Sequence, residues 1–167
     1  MRYAAGAPAD SAVSWARRLR PTGMKTILAA LLLSLAAAAH AAGENNVDTS
    51  GLALKGYDPV AYFTEKKPLQ GKPELTAAHE GATYRFASAA NRDAFMAAPA
   101  EYAPQYGGYC AFGMASGYKA PVEPDAWTVV DGKLYLNYNQ SVRSRWSSDI
   151  PGYVRKADAN WPTVRSK

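Results

Sequence analysis

Cys110 is the only cysteine in a chain of 167 residues. With Met114 it forms Cys-x-x-x-Met, two soft sulfur ligands of the kind that suit Cu(I). On a helix the two sulfurs would share a face; Gly113 between them makes a loop an equal reading. A lone thiol has no partner for an intramolecular disulfide. In an oxidising space it must be buried, metal-bound, paired between chains or reactive. Free cysteine is among the most buried residue types, and Tyr109, Ala111 and Phe112 flank this one, so a packed, inert side chain is the plainer reading. His79 is the only histidine after residue 41 and stands beside Glu80-Gly81 at a strand end. It could join a metal only if the fold brought Cys110 or Met96 to it. There is no nucleophile elbow, phosphate-binding glycine loop or acidic cluster with ligand spacing.

Tyrosine is the other chemical resource. All but one of the 11 tyrosines follow residue 41. Each buries a large ring but keeps a hydroxyl that needs a partner. A tyrosine-rich core with hydroxyls at its edge accounts for most of them. The functional alternative is a pocket around Tyr106, Gly107, Gly108, Tyr109 and Cys110, joined by Tyr84, that stacks on or hydrogen-bonds a small ligand. Gly107-Gly108 predicts left-handed backbone or a close approach to something.

The elements that must position these residues are legible in punctuation. Asp58-Pro59 reads as a helix cap followed by an N1 proline, opening a short helix through Phe63. Residues 75–79, a Glu80-Gly81 turn and residues 82–87 predict a hairpin with Tyr84 and Phe86 on one face. Ser88 caps a helix that Pro99 stops, with Ala90, Ala94, Phe95 and Ala98 on one side. Trp127 to Val130, Asp131-Gly132 and Lys133 to Tyr138 form the clearest hairpin. Asn139 caps a helix through Ser147, Ile150-Pro151-Gly152 breaks it, and Tyr153 to Trp161 is a last helix stopped by Pro162. The expected fold is α+β: a small single domain of β-hairpins, each followed by a helix. At an offset of 51 residues, Gly81, Tyr84, Ser88, Arg92 and Phe95 match Gly132, Tyr135, Asn139, Arg143 and Trp146. Either two related ββα units or shared hairpin–helix grammar would produce that coincidence.

Gly81, Tyr84, Phe86, Ser88, Phe95, Pro99 and Tyr102, with Asp58-Pro59-Val60 upstream, give a pattern that resembles the YHS domain, over residues 56–114. The chain looks closest to the stand-alone, exported bacterial members. The resemblance implies this fold and transition-metal handling, copper first. Metal-linked YHS domains carry cysteines where this chain has Ala61, Ala87 and Asn91 or Arg92, so it implies the fold more strongly than a cysteine metal site.

Residues 24–41 read as a signal peptide: Met24-Lys25, an apolar run from Ile27 to Ala38, and Ala39-His40-Ala41 as cleavage site. The run is short for a membrane span, so an integral membrane protein is not expected. Met24 is the expected start, leaving residues 1–23 outside the translated chain; a twin-arginine signal at Arg17-Arg18 is the rival. Residues 1–41 hold five of the 19 basic and one of the 14 acidic residues, leaving 14 against 13. The basic balance is thus a property of the leader, and nothing argues for nucleic acid. Residues 42–50 are expected to form a flexible tether before a YHS-like domain over 51–167.

The expected function is a periplasmic or secreted binding module for a metal ion or small ligand. Copper is the suspected cofactor, with Cys110, Met114 and His79 as candidate ligands. A thiol-dependent enzyme or redox sensor using Cys110, and an interaction domain without a ligand, are the alternatives. If the signal reading holds, the exported chain begins at Ala42, and intact mass of periplasmic protein checks it; a mature chain retaining residues ahead of Met24 would refute it.

Overall fold

A computed structural model describes residues 44–167; the expected signal peptide, the Met24 start and residues 42–43 of the tether lie outside the described residues. The domain is α+β, with two β-hairpins each followed by helices. A 3-10 turn at Leu54–Gly56 leads to α1 (Ala61–Thr64), then to the antiparallel hairpin β1 (Lys72–His79) and β2 (Ala82–Phe86). Helix α2 (Ala89–Ala97) and the single-turn α3 (Pro99–Tyr102) follow. A second 3-10 turn, Gln105–Gly108, precedes α4 (Ala111–Ala115). The second hairpin is β3 (Trp127–Val130) with β4 (Lys133–Leu136), followed by α5 (Gln140–Ser147) and α6 (Ile150–Arg165). Among the described residues no helix is long and apolar enough to cross a membrane.

Local chemistry explains the elements. Both hairpins turn on two left-handed residues, Glu80-Gly81 (φ 47° and 78°) and Asp131-Gly132 (φ 50° and 70°). That is the type I′ geometry whose twist matches the strands. Ser88 Oγ accepts from Asn91 N at 3.1 Å, and Asn139 Oδ1 from Val142 N at 2.9 Å, satisfying orphan donors in α2 and α5. The predicted apolar side of α2 narrows to Phe95, Ala94 and Ala98, since Ala90 is exposed.

The last helix differs from expectation. Pro151 lies in the first turn of α6, where a missing N–H costs nothing, and Asp149 caps it by accepting from Gly152 N at 3.0 Å. Pro162 does not stop the helix, which runs one further turn to Arg165. Val164 is buried against the core and Arg165 bonds Glu44, so tertiary contacts hold a turn that proline alone would end.

The core has two parts. One gathers Tyr62, Tyr84, Phe86, Phe95, Leu134 and Leu136; the other Met114, Tyr135, Trp146 and Ala157. Strand β4 separates them. Its alternation sends Leu134 and Leu136 to one side and Tyr135 to the other, and all three are buried.

Asp58 ties the first part together from inside. It is fully buried. Its Oδ1 accepts from Val60 N at 2.8 Å and Ala61 N at 3.3 Å, capping α1. Its Oδ2 accepts from Ala87 N at 2.9 Å and Asn91 Nδ2 at 2.7 Å, joining the end of β2 and the first turn of α2. Asp58→Ala should cost about 2–5 kcal/mol, because it strands several buried donors at once. Asp58→Asn should recover little, since its amide would present a donor to donors. Chemical denaturation measures both; a loss below about 1 kcal/mol for Asp58→Ala would contradict this role.

Candidate functional site

The first hairpin ends in His79 and Glu80. The turn leaves Glu80 exposed and His79 half-buried, its ring edge-on to Phe95 at 5.9 Å. Tyr84 points inward from β2, only 2% exposed, with its ring 4.9 Å from that of Phe95. Opposite the hairpin, Tyr106, Gly107 and Gly108 all have left-handed backbone (φ 56°, 59° and 80°), which folds the chain back between α3 and α4. The Tyr106 hydroxyl donates to Asp158 Oδ1 at 2.9 Å, and its ring lies 6.1 Å from Trp161. Trp161 and Arg165, four apart on α6, share a face.

Residues 44–47 close the ring. Far from a free tether, they lie against the domain as a strap. Asn45 Nδ2 donates to the Glu80 carbonyl at 2.6 Å, and Asn46 donates through N to Gly107 O at 2.8 Å and through Nδ2 to Gly108 O at 3.0 Å. The Tyr109 hydroxyl donates to Asn45 O at 3.3 Å, and Arg165 Nη2 pairs with Glu44 Oε2. A Cβ at Gly107 would collide with the Glu44 carbonyl. The close approach expected of the glycine pair is therefore an approach to the strap.

These pieces line a cavity of about 190 Å³, open to solvent on one side. Its wall brings together four residues singled out in the sequence: His79, Tyr84, Tyr106 and Gly107. Glu44, Glu80, Gln105, Trp161 and Arg165, which sequence reasoning missed, complete its polar lining. The spacing of Trp161 and Arg165 on one helix face was the signal available; the strap residues gave none. Gly108 and Tyr109 stand outside the wall and hold the strap. Burial pushes the Tyr84 phenol above its ordinary pKa, and the Glu80 carboxylate adds to the effect. The Tyr106 phenol is raised by burial and by donation to Asp158. The hydrogen bond from Arg165 holds the Glu44 carboxyl below its usual range.

Cys110 lies elsewhere. It is 1% exposed and caps α4, its Sγ accepting from Gly113 N at 3.4 Å. Its thiol donates to Asn137 Oδ1 at 3.7 Å, which also accepts from Phe112 N at 3.2 Å. Asn137 is fully buried, and its Nδ2 has no partner. Met114 packs into the second core part with Trp146 while Cys110 belongs to the first, and His79 stands on the cavity wall. Among the described residues no group of three or more histidine, cysteine and carboxylate side chains is placed to hold a metal. Outside Cys110 runs a separate apolar groove, with exposed Tyr118 and Tyr138 on its walls beside Phe112, Val142 and Arg145.

No protein-family model, curated protein or solved structure matches this chain.

A thiol so covered should react slowly. Native Cys110 should be labelled by an aromatic disulfide reagent at least about 100-fold more slowly than in denatured protein, since reaction must await an opening of the fold. Equal rates in the two states would place the thiol on the surface.

Proposed function

We propose that this chain is an exported, YHS-like binding module that holds a small polar molecule in the cavity between the first hairpin tip, the glycine turn and the last helix. The observation that carries this reading is convergence. His79 and Tyr84 from the first hairpin and Tyr106 and Gly107 from the glycine turn meet at one concave site. Aromatic rings supply its walls, and a few polar groups fix orientation, as small-molecule sites require. Binding without catalysis fits better than thiol chemistry, because Cys110 is turned to Asn137 and buried. Copper handling by Cys110 and Met114 would require both sulfurs to leave separate core parts, and that cost weighs against it. Export rests on the leader pattern, and the YHS relationship on the Gly81, Tyr84, Phe86 and Ser88 pattern.

Ligand-observed NMR against a set of small polar molecules of both charges tests the reading. Ala100 is exposed on α3 and forms part of the cavity wall, so Ala100→Trp fills the cavity without entering the core. The expected result is a group of ligands bound by the wild type and lost in Ala100→Trp. Ligands that persist in that variant, or none in the wild type, would overturn it.

A further inference from the structure

The polar groups of this cavity are unequal in charge. Arg165 faces two carboxylates: it is bonded to Glu44, and Glu80 lies near enough to raise its guanidinium further. Lys119 stands outside the wall, donating to the Arg165 carbonyl at 3.1 Å. Glu80 forms no ion pair among the described residues, so the wall sets two carboxylates against one guanidinium, with His79 beside Glu80 and Lys119 acting on Glu44 from outside the wall. An anion would have to displace Glu44 from Arg165 and then face Glu80.

Tyr84 is the second, independent observation. Its side chain is more than nine-tenths buried, yet its hydroxyl makes no hydrogen bond to any described residue. Glu80 acts on that hydroxyl, which places the phenol oxygen in the field of a carboxylate on the same cavity wall. The other buried phenol of the wall, Tyr106, is already committed to Asp158. The ring is buried while the hydroxyl oxygen opens onto the cavity, so its hydrogen-bonding capacity is left for what occupies that space. Trp161 adds an aromatic face, the surface to which cations are drawn. The volume of about 190 Å³ is well above the roughly 10–15 Å³ that one water needs, room for a small organic molecule.

We propose that the cavity takes a small organic cation, a primary ammonium or guanidinium compound, with its charged end on Glu80 and the Tyr84 hydroxyl and its body against Trp161. The assignment rests on the binding reading above and names the ligand class for that same site. Glu80 supplies charge, Tyr84 an acceptor oxygen, and the Arg165–Glu44 pair closes the rim.

The test titrates the ¹⁵N-labelled protein and follows the Trp161 indole N–H, assigned with Trp161→Phe. Propylammonium and methylguanidinium chlorides are compared with sodium propionate and sodium phosphate at constant ionic strength. The cations should shift the resonance saturably. Glu80→Gln should weaken them at least about tenfold, the loss of one charge-assisted hydrogen bond. Tyr84→Phe, which keeps the buried ring, should weaken them less. Should Tyr84→Phe fail to fold, Glu80→Gln at the exposed turn decides the matter alone. A saturable response to propionate or phosphate with none to the cations overturns the cation assignment and leaves the binding reading standing. Unchanged cation affinity in Glu80→Gln does the same. No response to either set overturns the assignment; the Ala100→Trp screen then decides separately whether the binding reading falls too.

Discussion

The buried carboxylate of Asp58 is the contact on which the first half of the domain closes. Short elements dominate here: α1 is four residues long and β2 five. Neither is stable by itself, because a single helical turn or a lone ribbon recovers too few hydrogen bonds for the backbone it orders. One side chain accepting from two donors at the start of α1, one after β2 and one in α2 turns three marginal pieces into a single unit. Burying a carboxylate is expensive, and four hydrogen bonds offset that cost. Phe95 and Phe86 then pack beneath a frame that is already fixed, and the hairpin tip with His79 and Glu80 inherits its position from it.

The second half uses the same device with weaker chemistry. Cys110 precedes α4 much as Asp58 precedes α1, and each accepts from the backbone N–H three residues on. Each also reaches the end of its unit's second strand, Asp58 to Ala87 N and Cys110 to the Asn137 side chain. Ser88 and Asn139 cap the helices that follow the two hairpins. The offset seen in the sequence thus corresponds to a repeated arrangement of short helix, hairpin and capped helix. In this setting the cysteine acts as a helix cap with a soft acceptor, and its burial follows from that position.

Much of the fold was legible because its signals are local. Asp-Gly and Glu-Gly turns, Ser88 and Asn139 caps, and the period-two pattern of Tyr84 and Phe86 depend on neighbours in sequence, and the structure follows them. What was missed depends on distant partners. Pro162 reads as a stop only if the packing of Val164 and the pairing of Arg165 are unknown. The polar run at 44–47 reads as a tether until Gly107-Gly108 supplies its acceptors. The site was half legible for the same reason. Tyrosine and glycine content marked Tyr84, Tyr106 and Gly107, and its being the one histidine after residue 41 marked His79, while Glu44, Trp161 and Arg165 acquire meaning only when three remote segments meet. Cys110 and Met114, adjacent in pattern, pack into different core parts.

The strap also decides how the domain can be connected to anything else. Glu44, where the described chain begins, is held against Arg165, two residues from its last residue. Both residues of this pair are on the cavity wall. A group attached at Glu44 or Arg165 would crowd the opening, whereas the tip of the second hairpin at Asp131-Gly132 is outside the cavity wall. For immobilising or labelling this protein without obstructing the cavity, that hairpin is the handle and the Glu44–Arg165 edge is not.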